Sequence, residues 1–200
     1  TIARYYTPSG RCIQKPYIPG HDEEYEMELI ERYERGEYFS GDSIKQKGEE
    51  FHTTLGRAVY GGGGITPDIF VPEDTTQMTS YYKEAIIDGY VRQFTFDYTD
   101  DNRDKLDHFS KTADLEKYLR KQNLLDKFAQ HAALAGLQRR NLMLQKSRLL
   151  FERAIIGGII YNAKSTQEHR EFLNQFDPTV QRAMQIIADG KSKPKAGMKY

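Results

Sequence analysis

Hydrophobic and polar residues follow two different patterns along the chain. Up to about residue 72, short extended runs rich in Tyr, Ile, Val and Thr are separated by turns that contain Pro or Gly, which is typical of β-structure. After Asp74, apolar residues recur three and four positions apart, which predicts α-helices. We therefore expect an α+β fold with a partial β subdomain and a mainly helical C-terminal domain. The predicted strands are 1–7, 50–55, 57–60 and 67–71.

One helix is predicted inside the β-rich half, in the sequence DEEYEMELIERYERG. Asp22 is the expected N-cap, and Gly36 is expected to end the helix. Acidic residues crowd the first half of this segment, whereas Arg32 and Arg35 lie near its end. This order of charges is favourable for the helix dipole and supports the prediction.

The last two helices of the chain have clear N-terminal signals. Ser165 followed by Glu168 matches a capping box, and Asp177 before Pro178 places a capping side chain ahead of a proline at the first helical position. A continuous helix is expected over 138–162, although adjacent glycines at 157 and 158 weaken it. The other expected helical segments are 79–94, 113–121 and 123–137. Residues 191–200 are expected to form a flexible tail.

Charge and cysteine content narrow the function classes. The 200 residues include 29 basic and 29 acidic side chains, so the formal net charge is zero. A nucleic-acid partner is therefore not expected, despite the segments QRR at 138–140 and KSR at 146–148, each with two basic residues. The single cysteine excludes an internal disulfide framework. No apolar run approaches the roughly 20 residues that a membrane-spanning helix needs.

A run of glycines, Gly61–Gly64, could present backbone N–H groups to a phosphate. The lysine of a Walker motif is missing, however, and the helix that follows a dinucleotide fingerprint is replaced by an extended segment. We therefore expect a structural loop in which two backbones approach closely.

Two sets of residues in the sequence could supply a nucleophile and its base. Ser9, His52 and Asp68 would supply a Ser-His-Asp set, and Lys45 follows Ser43 by two positions. A catalytic triad is recognised by its geometry, which positions in a sequence do not establish. In the alternative interpretation Ser9 is a turn residue, His52 lies on a strand surface and Ser43 is a loop residue. We expect this second interpretation.

Neither a metal site nor a reactive thiol is indicated by the sequence. The histidines show no ligand spacing, and Cys12, in an extended segment, is expected to be a small buried apolar residue rather than a nucleophile. No catalytic, cofactor-binding or metal residue, and no cofactor, is therefore predicted within the chain. The histidines are His21, His52, His108, His131 and His169.

Two short segments, ARYYTPSGRCIQ at 3–14 and GITPDI at 64–69, resemble the carboxyl-terminal processing peptidases, also called tail-specific proteases. The resemblance implies that both segments are strands of a catalytic core. In many members of that family the two segments are nearly contiguous, whereas here residues 15–63 intervene as an insertion with an acidic helix. The implied organisation is peptidase-core strands over 1–74 and a helical domain over 75–190.

In that family a Ser nucleophile is activated by a Lys general base, often with a Gln, and these groups precede the first segment. The resemblance implies that they lie upstream of this chain, together with a peptide-binding PDZ module. The parent is then a periplasmic or cell-envelope endopeptidase that acts on protein or peptide substrates, and the chain alone is inactive. A homodimer through the helical domain is one option. The alternative function is a non-enzymatic helical protein-interaction domain.

Overall fold

The computed structural model describes residues 3–44 and 48–191, and the chain divides into two compact units. The helical unit is Thr75–Gln181. The first unit consists of Thr1–Asp74 together with Arg182–Tyr200.

The first unit contains a short hairpin and a helix before Asp74. The helix α1 spans Asp22–Glu34. A 3₁₀ turn follows at Gly41–Ser43. The strands β1, Glu50–His52, and β2, Ala58–Tyr60, pair antiparallel. The prediction of strands at 50–55 and 57–60 is therefore confirmed, with shorter strands.

The other two predicted strands are wrong. In 1–7, the described residues make a single antiparallel bridge, between Tyr6 and Cys12, while Thr1 and Ile2 lie outside the described residues. The segment 67–71 is also not a strand. It begins with a proline and is followed by another, and proline cannot donate to a β-ladder.

The predicted limits of α1 are half correct. Asp22 is the first residue of the helix rather than its N-cap, because His21 takes that position without a side-chain hydrogen bond. The end at Gly36 is confirmed. Its φ of +76° is readily adopted by glycine, and its nitrogen donates to the Tyr33 carbonyl oxygen at 3.0 Å.

Eight helices form the helical unit, and a ninth begins in it. They are α2 Ser80–Ile87, α3 Tyr90–Asp101, α4 Arg103–Asp107, α5 Thr112–Leu119, α6 Leu124–Leu134, α7 Asn141–Lys146, α8 Arg148–Ala163, α9 Thr166–Asn174 and α10 Pro178–Ala188. The central helix is α8, which packs against α3, α5, α6 and α9.

The hydrophobic core lies entirely in the helical unit. Among the described side chains, every buried hydrophobic one lies between Tyr81 and Phe172. Phe151, Ile155 and Ile159 of α8 are fully buried. Each such side chain contributes about 1.5–3 kcal/mol relative to exposure, so this unit has the means to fold by itself.

The predicted helix over 138–162 is interrupted at Ser147, not at its glycines. The buried Ser147 hydroxyl donates to the Gln77 carbonyl oxygen at 2.6 Å and lies 2.7 Å from the Thr79 hydroxyl. Gly157 and Gly158 lie within α8. The predicted helix over 79–94 is likewise divided, at Gly89, where φ is +81°.

The adjacent glycines of α8 let neighbouring helices approach. A Cβ on Gly158 would lie 2.8 Å from the Thr95 side chain of α3, and a Cβ on Gly157 would lie 3.4 Å from His169 of α9. Packing against α3 and α9 therefore outweighs the low helix propensity of glycine.

Both predicted N-caps are confirmed. The Ser165 hydroxyl accepts from the Gln167 nitrogen at 3.2 Å, and the Asp177 carboxylate accepts from the Thr179 nitrogen at 2.7 Å. The apolar stripe of α10 is exposed at Met184 and Ile187, which have 60% and 63% of their surface accessible.

The sequence also predicts a flexible C-terminal tail and no membrane-spanning helix. Residues 192–200 of the expected tail lie outside the described residues. Among the described helices, none combines the length and the apolar character needed to cross a bilayer.

Candidate functional site

The segments 3–14 and 64–69 meet in the first unit, the end of the first against the start of the second. The Gly62 nitrogen donates to the Cys12 carbonyl oxygen, and the Gly64 nitrogen donates to that of Ile13, both at 2.9 Å. We call residues 11–13 and 60–64 the motif junction. The insertion therefore leaves the first segment and returns to the second at one place.

Glycine is required at this junction because backbones approach closely there. A Cβ on Gly61 would lie 3.1 Å from the Phe51 ring and 3.4 Å from the Cys12 carbonyl oxygen. A Cβ on Gly48, where φ is +125°, would collide with the Gly61 carbonyl oxygen. These contacts explain why glycines concentrate at both ends of the hairpin.

Three of the four amides of the glycine run donate to backbone carbonyl oxygens. Gly61 donates to the Glu49 carbonyl oxygen at 3.0 Å, and Gly62 and Gly64 donate across the junction. A bound phosphate would have to compete with these backbone bonds. The geometry therefore favours the structural loop that the sequence predicts.

Ser9, His52 and Asp68 are engaged by other residues. The Ser9 hydroxyl lies 2.9 Å from the Thr7 hydroxyl, and His52 Nε2 lies 3.3 Å from a carboxylate oxygen of Glu50. Within residues 3–44 and 48–191, no hydrogen bond joins any two of the three candidates. They do not form the relay that nucleophilic catalysis requires.

Asp68 has a structural role at the second segment. Its carboxylate forms a two-pronged ion pair with the Arg57 guanidinium, in which Arg57 Nη1 lies 3.0 Å from Asp68 Oδ2. The Arg57 backbone nitrogen in turn donates to the Thr53 hydroxyl at 3.1 Å. The pair fixes the ITPD segment to the turn between β1 and β2.

The remaining candidates are the pair Ser43 and Lys45, and Cys12. Ser43 lies in the 3₁₀ turn, and Lys45 lies outside the described residues. Cys12 is a half-buried free thiol in the motif junction. No group of three or more His, Cys, Asp or Glu side chains in the described part of the chain is arranged to hold a metal ion.

A charged cleft of about 310 Å³ lies between α1 and the glycine run. Within it, the Glu37 carboxylate accepts from Arg32 Nε at 2.8 Å and from Arg35 Nε at 2.9 Å. Burial opposes ionisation of Glu37, but the bonds and charges of the two arginines outweigh it and lower the pKa of this carboxyl. This arrangement was not predicted from the sequence, where its only signal is the spacing of the three charges.

The comparisons with known proteins concern mainly the helical unit. A family of unknown function, DUF8443, matches residues 81–165, which is less than half of the chain. No curated protein and no solved structure matches the chain. The segments at 3–14 and 64–69 lie outside the matched range.

Proposed function

We propose that residues 3–14 and 64–69 contribute to the catalytic core of a serine peptidase that resembles the carboxyl-terminal processing family. The observation that carries the proposal is the backbone hydrogen bond from Gly64 to Ile13, beside which Gly62, near the end of the insertion, donates to Cys12. Segments that are nearly contiguous in many members of that family are separated by an insertion here, yet they remain neighbours in space. An insertion into an existing core would preserve this relationship.

The chemistry under this proposal is peptide hydrolysis through an acyl-enzyme. A Lys amine accepts the proton of a Ser hydroxyl, which attacks the scissile carbonyl carbon, and water later releases the acyl group. In the family both groups precede the segment that resembles 3–14. The proposal therefore assigns them to the polypeptide upstream of Thr1, in the periplasm or cell envelope, and gives the present chain a supporting role.

Hydrolysis of an unstructured protein substrate tests the proposal. Residues 1–200 alone and the longer gene product that contains them are compared at equal concentration. We expect cleavage by the longer protein only, because a chain without the nucleophile and base cannot supply the roughly 8 kcal/mol or more of barrier lowering that enzymes provide. Turnover by residues 1–200 that Ser9→Ala or Ser43→Ala abolishes would overturn the proposal.

A second candidate function is a helical protein-interaction domain, and the exposed stripe of α10 favours it. Met184 and Ile187 are more than half exposed and lie one helical turn apart. In this alternative α10 of two copies would pack together. Sedimentation equilibrium should then show a dimer that Met184→Lys disrupts, whereas a monomer at all concentrations would contradict it.

A further inference from the structure

Arg11, in the first of the two family-like segments, has unused hydrogen-bonding capacity. Its Nη1 donates to the Tyr60 carbonyl oxygen at 3.4 Å, a long bond. Its Nε is buried and has no hydrogen-bond partner among the described residues. Buried polar groups are normally satisfied, and a guanidinium has five donors. The Arg11 guanidinium therefore has hydrogen-bond donors that remain available to a ligand or are left unpaired.

Arg11 lines an open groove of about 350 Å³ in the first unit. Arg57 and Asp68 also line the groove, but their charges compensate each other through their ion pair. The charge of Arg11 is thus the net charge of these three side chains. Val59, Ile65 and Pro67 supply an apolar wall, and Ile65 is 69% exposed.

We infer that this groove binds a carboxylate carried by a peptide. A carboxylate matches the planar fork of a guanidinium and can accept two parallel hydrogen bonds from it. It would accept from the terminal nitrogens of Arg11, where the bond from Nη1 to the Tyr60 carbonyl oxygen is long. Nε is shielded from solvent and is not a contact of the ligand. The apolar wall favours a peptide over a small anion, since a neighbouring side chain of the peptide can cover Val59 and Ile65.

The inference depends on the proposed function only for the choice of a peptide as the carrier of the carboxylate. Binding is measured on the 200-residue chain and requires no hydrolysis. The proposed function can therefore fail while the groove still binds, and the groove can fail while the longer protein still cleaves.

NMR titration of the isotope-labelled chain tests the inference with three peptides. The first is acetyl-Ala-Leu-Ala with a free C-terminal carboxylate. The second is the same peptide with a C-terminal amide, and the third is acetyl-Glu-Leu-Ala amide, which carries a side-chain carboxylate. We expect saturable shifts of the backbone resonances of residues 58–68 with the first or the third peptide, and the one that binds identifies the source. Equal binding of the neutral amide, or no binding at all, would overturn the inference.

Two substitutions with opposite expected effects sharpen the test. Arg11→Met keeps the aliphatic stem that packs near Gly61 and should weaken binding by about tenfold. Asp68→Asn removes the competing carboxylate from Arg57 and should tighten binding severalfold.

The matched control is Arg4→Met, which removes the same charge from an exposed position of the same segment and should leave the affinity within about twofold. If Arg11→Met disturbs folding, Arg11→Lys keeps the charge without the fork and should weaken binding severalfold. Unchanged affinity in both Arg11 variants would contradict the assignment.

Discussion

The Gly64 amide nitrogen lies 2.9 Å from the Ile13 carbonyl oxygen, although the whole insertion, 15–63, separates these residues in the sequence. Gly64 has a φ of +80°, which a side chain would disfavour. The bond therefore depends on a glycine at that position. It joins the segments 3–14 and 64–69, which the proposed function assigns to one peptidase core, and so it connects the local backbone geometry to that proposal.

In the helical unit, Gly158→Ala is expected to destabilise folding. The new Cβ would lie 2.8 Å from the Thr95 side chain and 3.0 Å from Thr95 Cβ, and a β-branched side chain has little freedom to move. We expect the free energy of unfolding to fall by about 1–3 kcal/mol, measured by urea denaturation.

The neighbouring glycine provides the control for this prediction. Gly157→Ala would bring a Cβ no closer than 3.4 Å to His169 and Leu173, so the better helix propensity of alanine, about 1 kcal/mol, should offset any cost. The double variant Gly158→Ala with Thr95→Ala should recover part of the loss. A loss at Gly157 as large as that at Gly158 would show that the contact with Thr95 is not the cause.

Glu37 should make the stability of the first unit depend on pH in the acid range. Its side chain is 10% exposed. Burial opposes its ionisation, but Arg35 and Arg32 outweigh burial and lower its pKa below the usual 4.5. A lowered folded-state pKa stabilises the fold above about pH 4.5, and this contribution is lost as the pH falls through the folded-state value.

Urea denaturation followed through the NMR signals of Gly62 and Gly64 checks this dependence at pH 7 and in the acid range. Glu37→Gln should lower stability at pH 7 by about 1–3 kcal/mol and should flatten the acid loss. Glu34→Gln, at an exposed position of α1, is the control. An acid loss that is unchanged in Glu37→Gln would assign it to other groups.

The helical unit should be the part of the chain that resists proteolysis. All buried hydrophobic side chains described lie between Tyr81 and Phe172, and a two-stranded hairpin alone is marginally stable. Limited trypsin digestion with mass spectrometry should leave a core that begins near residue 75. Recovery of an intact 1–74 piece beside a degraded helical unit would contradict this expectation.

Under the proposed function, the acidic helix α1 should influence which peptides the longer protein cleaves. The side chains to be neutralised to glutamine are exposed: Glu23, Glu31 and Glu34. A negative surface attracts basic peptides and is screened by salt, so the triple variant should lose preference for them in a peptide-library digest at low salt.

A matched triple variant in the helical unit separates a local effect from a change in total charge. It replaces three exposed acids there by asparagine: Asp88, Asp101 and Asp107. This variant should keep the wild-type cleavage pattern. The same shift in both triple variants, or in neither, would remove α1 from substrate selection.

The features that the sequence predicts correctly are local ones. The caps at Ser165 and Asp177 and the stop at Gly36 each depend on residues within one helical turn. The break at Ser147 could not be predicted, because its hydroxyl bonds Gln77 and Thr79 far away in the sequence.

The errors in the β-rich half have a related cause. A strand requires a partner as well as the right residues, and the segment 67–71 has no strand partner among the described residues. At the candidate site, the sequence indicated the two segments through a resemblance. It gave no sign of the buried Arg11 Nε, because Arg11 meets Tyr60 of β2, far away in the sequence, only in the folded chain.

Labelling of the longer gene product with a serine-directed phosphonate, followed by peptide mass spectrometry, tests the central claim most directly. The reagent bonds covalently to an activated serine, so the modified residue identifies the nucleophile. We predict a single modified serine upstream of Thr1, abolished by substitution of the upstream Lys, and no modification within residues 1–200. Modification of Ser9 or Ser43, or no modification at any serine, would contradict the assignment to a serine peptidase core.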